Sequence, residues 1–236
     1  MWEYYLMGII LVPGLIVATI AEINVHNTFS TYNQLSSQAG ITCAELIKRL
    51  ALSTGVNVQI AMTNGDLTDH YDSKRKVIAL SSNVYNSTSI GALGIACHEF
   101  GHALQDKDDY APMKIRQTII PITNIASSLL MPLVSLGLIF SFATTGTTLL
   151  GTIFLWSGII VFGGAVLVNL ITLPVEFDAS RRAIKILRST ETLTESELKG
   201  AKKVLTAAAM TYLAALLVSI LSLMRFLIVA LMRRRD

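Results

Sequence analysis

Long apolar runs alternate with polar segments along this chain. The runs cover residues 4–21, 119–142, 148–170 and 204–224. Each run approaches the roughly 20 apolar residues that a helix needs to cross the hydrocarbon core of a bilayer. We therefore predict an α-helical integral membrane protein with about four transmembrane helices. The second and third helices are expected to form a hairpin across the short polar link 143–147.

The polar segment before the hairpin, residues 22–116, carries mixed secondary-structure signals. Apolar residues at helical spacing predict a helix over 42–53, and Gly55 is expected to end it. Alternating residues predict strands over 56–61 and 77–80. This order predicts a small α+β domain.

The polar segment after the hairpin is predicted to contain two helix starts. Thr172 can cap a helix whose first turn holds Pro174. Thr194 and Glu197 have the spacing of a capping box, which is expected to open a helix that continues into the last apolar run.

Composition agrees with a membrane protein. The 236 residues are 52% hydrophobic and 15% charged, whereas a soluble domain carries about 25% charged residues. The net charge of +3 is small and its residues are scattered, so no nucleic acid is expected as a partner. Cys43 and Cys97 lack C-x-x-C spacing, and the sequence indicates no disulfide framework.

The motif H-E-x-x-H at 98–102 carries the chemistry of the sequence. Four-residue spacing on a helix places His98 and His102 on one face, about a turn apart, where two imidazoles can share a Zn²⁺ ion. Glu99 is turned by about 100° from His98, so its carboxylate can act on water beside the metal. Ser89 is the predicted N-cap of this helix.

A catalytic zinc ion needs a third protein ligand. Asp108 stands where the longer motif H-E-x-x-H-x-x-G-x-x-H would place a third histidine. Glu176 is the attractive candidate, because the hairpin returns its segment to the same membrane face, although a solvated carboxylate at a helix start is an open alternative. His70 stays open as a zinc ligand, an oxyanion stabiliser or a loop residue. Asp178 is about 200° round the helix from Glu176, and a supporting or ion-pair role is assigned to it.

Several segments together carry a family resemblance. They read TDHYD at 68–72, HEFGHALQ at 98–105, LPVEFDAS at 173–180 and GAKKVL at 200–205. This combination resembles the YugP-like bacterial family of membrane-bound neutral zinc metallopeptidases, over most of the chain. That family is itself similar to the glutamate-liganded zinc peptidases of the prenyl-protein protease and heat-shock membrane protease group.

The resemblance implies a gluzincin-like zinc-metallopeptidase domain that binds one Zn²⁺ per chain. It implies His98, His102 and Glu176 as the metal ligands. In the larger group the helix of the third ligand carries E-x-x-x-D. This chain has Ser180 at the aspartate position, and the nearest acidic residue is Asp178.

The expected function is that of a membrane-bound zinc endopeptidase in which Glu99 is the general base. Its partners are expected to be the lipid bilayer and a polypeptide substrate close to the membrane. A short edge strand beside the metal helix is expected to hold an extended peptide. The sequence does not choose among its candidates for oxyanion stabilisation, which are Arg181, Tyr71, His70 and Tyr212.

Two other function classes are less consistent with the sequence. A non-proteolytic zinc-binding membrane scaffold would not need the carboxylate of Glu99. A transporter would need ionisable residues inside its spans, and the runs 119–142 and 148–170 contain none.

Basic residues next to the predicted spans favour one orientation. Most of them lie in the two polar segments. The positive-inside bias therefore places both segments on the cytoplasmic side of a bacterial cell membrane. The arginines at 233–235 argue for the opposite orientation. The predicted domains are an N-terminal transmembrane anchor (1–21), an α+β catalytic domain (22–116), a transmembrane hairpin (117–171), a polar helical segment with the third ligand (172–203), and a C-terminal transmembrane helix with a basic tail (204–236).

Overall fold

A computed structural model describes residues 8–142 and 149–232, which are mostly helical. The described chain divides into two compact units. Among the described residues, one unit contains 8–20, 115–142, 149–172 and 212–232, and the other contains 21–114 and 173–211. The helices are α1 (Val12–Asn33), α2 (Cys43–Thr54), α3 (Ser82–Tyr85), α4 (Ile90–Lys107), α5 (Ala111–Phe142), α6 (Leu149–Ser189) and α7 (Glu195–Met232), and the strands are β1 (Gln59–Thr63), β2 (His70–Asp72) and β3 (Val77–Ser81).

The polar unit is built on a three-stranded sheet with β3 in the centre. β1 runs parallel to β3 with Ile60 opposite Ile78, and β2 runs antiparallel with His70 opposite Ala79. Ile78 and Leu80 of β3 are fully buried, and they share one core with residues of α2 and α4, including Phe100. The sheet and α4 therefore form a single packed body, as the predicted α+β domain requires.

Local sequence signals define the helix ends of this unit. Thr42 caps α2, and Gly55 ends it in the left-handed conformation with φ of 66°. Thr194 and Glu197 form the predicted capping box, in which the Glu197 carboxylate accepts from the Thr194 backbone N–H at 2.8 Å. The Thr194 hydroxyl accepts from the Glu197 N–H at 3.3 Å. The predicted helix end at Gly55 and the predicted capping box are confirmed.

Two helices of the described chain, rather than the predicted four, are long and apolar enough to cross a membrane. They are α6 and α7. The predicted first span begins in residues 1–7, and the predicted hairpin link 143–147 and basic tail 233–235 also lie outside the described residues. The predicted second span, 119–142, lies within the continuous helix α5. The structure does not describe most of the side chains of α5 after residue 121.

Two local predictions need correction, and one open alternative is decided. No helix begins at Thr172, because α6 continues through Pro174 without a break. The proline ring fixes φ near the helical value, and the helix loses only one backbone hydrogen bond at Pro174. The helical residues before and after Pro174 can therefore form one continuous helix. The first predicted strand forms further along, as β1. Of the alternatives left open for His70, the loop position is excluded, because His70 lies in β2 and pairs with Ala79 of the central strand.

Candidate metal centre

Helix α4 holds the two histidines in a fixed relation. The Ser89 side chain accepts from the Ala92 N–H at 3.1 Å, which confirms the predicted cap. The rings of His98 and His102 are 4.8 Å apart between centroids and nearly perpendicular, at 81°. Glu99 follows on the same turn and is 8% exposed. The helix thus carries both imidazoles on one face and a buried carboxylate beside them.

Helix α6 brings Glu176 to these histidines. Its Oε2 atom lies 3.2 Å from Nε2 of His98 and 3.7 Å from Nε2 of His102. The two helices can approach closely because α4 has a glycine, Gly101, where they meet. A Cβ at Gly101 would lie 2.6 Å from the backbone oxygen of Ala179. The position of Glu176 therefore depends on a residue without a side chain.

The three side chains fit a divalent metal ion. One potential ligand atom from each of His98, His102 and Glu176 lies within 4.8 Å of the others. Zinc bonds of about 2.0–2.2 Å in a tetrahedron require ligand atoms roughly 3.3–3.6 Å apart, so small side-chain adjustments would close the site. Two imidazoles and one carboxylate are also a donor set that leaves an open position in catalytic zinc sites.

Both histidines are oriented by hydrogen bonds at Nδ1. Nδ1 of His102 is 2.9 Å from Oε1 of Gln105. An amide oxygen only accepts, so Nδ1 donates, and Nε2 of the neutral ring keeps the lone pair that a metal requires. Nδ1 of His98 is 3.1 Å from the hydroxyl of Ser180, which can accept in the same way. The two bonds favour the metal-binding tautomer of each ring.

Gln105 is itself held in place by α6. Its amide nitrogen donates to the carbonyl of Val175 at 2.8 Å and to the carboxylate of Asp178 at 3.0 Å. Asp178 also accepts from Nε of Arg182 at 2.7 Å. Asp178 thus supports His102 through Gln105, in agreement with the supporting role predicted for it.

The surroundings of His102 favour positive charge. Burial by itself would lower the pKa of His102, but the hydrogen bond with Glu176 and the charges of Glu99 and Glu176 outweigh it, so the pKa is raised. A site that attracts a proton between these groups attracts a divalent cation for the same electrostatic reason.

Other residues singled out from the sequence do not join this group. His70 is exposed, and its Nδ1 bonds the carbonyl oxygen of Thr68 at 2.8 Å. The Tyr71 hydroxyl donates to Asp106 at 2.6 Å, and burial, followed by this bond, raises the pKa of Tyr71. Arg181 is 78% exposed and faces Asp178 at 4.0 Å.

Sequence reasoning gave Gln105 and Ser180 no role. Both stood in the segments that carry the family resemblance, and Ser180 was noted only as a departure from an aspartate. Gln105 lies three residues after His102, the helical spacing at which two side chains meet. This spacing was the available signal for Gln105, whereas Ser180 is 82 positions from His98 in sequence.

Comparison with known proteins gives matches over nearly the whole chain. The family model described as "Putative neutral zinc metallopeptidase" matches residues 7–231. The chain is 42% identical over 218 residues to the "Putative membrane protease YugP" of Bacillus subtilis (strain 168), a match that covers 92% of each chain. No solved structure was found to match the chain.

Proposed function

Since the chain belongs to this neutral zinc metallopeptidase family, we propose that it is a membrane-bound zinc-dependent endopeptidase. The observation that supports this most directly is the meeting of His98, His102 and Glu176 around one point. Glu99 lies beside them on the same helix. We assign the first three residues to the metal and Glu99 to proton transfer.

Each of these residues has a defined task in peptide hydrolysis. When bound, zinc supplies a Lewis acid that polarises the scissile carbonyl and lowers the pKa of water towards about 7. Glu99 takes the proton of the attacking water and delivers it to the leaving amine. The burial of Glu99 holds its carboxylate in a site with little competing solvent. His98, His102 and Glu176 keep their donor atoms converged, with Ser180 and Gln105 fixing the rings.

We propose that the substrate is a polypeptide bound in extended form along β2. This strand lies at the edge of the sheet and, among the described strands, pairs with β3 alone. Tyr71 of β2 bonds Asp106 of α4, which ties the strand to the helix that carries the metal ligands. A free strand edge offers main-chain hydrogen bonds to a peptide of any sequence.

The membrane location supports substrates close to a bilayer. The metal ligand Glu176 lies on α6, the same continuous helix that contains an apolar segment long enough for a span. The polar unit also includes the first part of α7, the second candidate span. We propose that these helices anchor the enzyme and that it cleaves membrane-proximal polypeptides.

Comparison of purified wild type with Glu99→Gln tests the peptidase assignment. Both proteins should contain one zinc per chain by plasma mass spectrometry, because Glu99 is not assigned to the metal. Casein cleavage should fall by at least about 100-fold in the variant, since the proton acceptor is lost. Equal cleavage by the two proteins would overturn the assignment. Zinc binding without any cleavage by wild type would favour a scaffold.

A further inference from the structure

A groove of about 840 Å³ lies between the polar parts of α6 and α7. We propose that it binds one anionic membrane phospholipid, with the phosphate among its basic side chains and an acyl chain along its apolar floor. The inference rests on the membrane location proposed above. The groove shares Ser180 with the surroundings of His98, but none of the proposed metal ligands lines it. The groove is large enough to hold part of a lipid, because ligand pockets are commonly about 300–1,000 Å³.

The charges along the groove have one sign. Its lining includes four basic residues and, among the described residues, no aspartate or glutamate. Lys185 and Lys202 come from opposite walls, and within the described chain neither has an ion-pair partner. Arg188 pairs with Glu195, and Arg181 faces Asp178. The two unpaired lysines therefore leave positive charge available for an anion.

The floor of the same groove is apolar. Phe177, Ile184 and Leu205 line it, and Phe177 is 42% exposed although it is a large hydrophobic residue. Thr206 and Ala209 add small side chains on the α7 wall. Apolar surface beside unpaired positive charge fits an amphipathic ligand better than it fits a free anion such as inorganic phosphate.

The position of the groove along the two helices favours a lipid. On α6 its residues follow the apolar run 148–170, and on α7 they begin before the apolar run 204–224 and continue into it. Lys202 lies two residues before the apolar run 204–224, whereas Lys185 lies 15 residues beyond the run 148–170. Basic residues and pockets next to membrane spans bind anionic lipid head groups, so the phosphate is expected near Lys202 and the groove would draw the head group towards Lys185. An acidic peptide could form ion pairs with the two lysines, but it has no acyl chain that would cover Phe177 and Ile184.

Lipid binding can be measured by native mass spectrometry of the protein in a neutral detergent. The probes are phosphatidylglycerol, phosphatidylcholine and glycerol 3-phosphate. We expect wild type to retain phosphatidylglycerol in preference to phosphatidylcholine, and to show no binding of glycerol 3-phosphate at the same concentration. Lys185→Gln/Lys202→Gln should weaken phosphatidylglycerol binding about tenfold or more, because each basic residue near a lipid phosphate contributes to the attraction.

The matched control is Lys199→Gln/Lys203→Gln, which removes the same charge from α7 outside the groove. It should stay within about twofold of wild type if local contacts rather than net charge bind the lipid. Thr206→Trp should also reduce binding, since it fills the groove at an exposed position and changes no charge.

Equal retention of the two lipids, or equal effects of the two double variants, would overturn the proposal. So would displacement of phosphatidylglycerol by an equimolar Glu-rich peptide, which would make the groove a peptide site. Binding is expected to be the same in wild type and in Glu99→Gln. A failure of lipid binding would therefore leave the peptidase proposal standing, and a failure of cleavage would leave the lipid site standing.

Discussion

Gln105 connects the metal-binding helix to the helix that carries Glu176. It accepts from His102 and donates to Val175 and Asp178, and it is fully buried. A buried amide with partners on both of its atoms resists rotation, because turning it would break several hydrogen bonds at once. We regard Gln105 as a positioning residue that fixes the tautomer and direction of His102.

Replacement of Gln105 is expected to weaken zinc binding. Gln105→Leu keeps a similar volume but removes the acceptor, and affinity should fall about 10–100-fold, as for other partners of metal-bound histidines. Gln105→Glu keeps an oxygen for His102 but loses the donor to Val175 and Asp178, so it should also weaken zinc binding. Zinc affinity can be measured by chelator competition. Gln59→Leu, at an exposed position of β1, is the control, and an equal affinity in Gln105→Leu would contradict the assignment.

Glu176 and Asp178 are expected to differ in their effects on the metal. Glu176→Ala removes a proposed ligand and should lower zinc affinity at least about 10-fold. Asp178→Ala reaches the metal site only indirectly, through Gln105, and should lower the affinity less. Zinc content after dialysis, measured by plasma mass spectrometry, separates the two. If Glu176→Ala retains zinc like wild type, the third ligand must lie elsewhere.

At the scale of elements, the contact between α4 and α6 determines the site. Gly101 faces the backbone of Ala179, and the partner residues Glu176 and Ser180 lie on either side of that contact in the sequence of α6. A flexible side chain can change rotamer to avoid a clash, but the backbone of Ala179 cannot. A methyl group added at Gly101 must therefore move the two helices apart. Separation would move Glu176 and Ser180 away from His98 together.

Gly101→Ala is therefore expected to damage the site even though alanine favours a helix. Stability should fall by about 1–3 kcal/mol, the usual cost of overpacking, and zinc affinity should fall with it. Thermal unfolding and chelator competition measure the two effects. Gly163→Ala is the matched control, because a Cβ at that helical glycine meets no atom within 4 Å. Similar behaviour of the two variants would show that the close contact is not needed.

At the scale of the whole molecule, the orientation in the membrane is a prediction from the positive-inside bias. Ser196 is exposed in the polar unit, and both native cysteines are fully buried. Burial also raises the pKa of the Cys43 and Cys97 thiols, which disfavours the thiolate that reacts with a maleimide. A cysteine at position 196 should therefore give a specific labelling signal.

We expect Ser196→Cys to resist a membrane-impermeant maleimide in intact cells and to react after lysis, since the polar unit is predicted to face the cytoplasm. Thr145→Cys, in the predicted outward link, should react in intact cells and serves as the opposite control. Prompt labelling of Ser196→Cys together with protection of Thr145→Cys would invert the orientation.

The features that the sequence determined by itself depend on neighbouring residues. The caps at Ser89, Thr42 and Thr194 form bonds within three residues. The one-turn separation of His98 and His102 follows from helix geometry alone. The apolar runs of α6 and α7 were recognised from composition and length. Such signals are short in range, so the chain folds locally as they predict.

The remaining features were decided by the tertiary structure. Glu176 is 78 positions from His98 in sequence, and Gln105 is 70 positions from Val175. Glu176 was singled out from the sequence, but its distance to the histidines depends on how closely Gly101 lets α6 approach. The continuity of α6 through Pro174 and the pairing of β2 also required partners that are distant in the chain. The pattern of hydrophobic and polar residues indicates which face of an element is buried, but not which distant element covers that face. The packing of α6 against α4 is such a case, and it places Gln105, Ser180 and Asp178 around the two histidines.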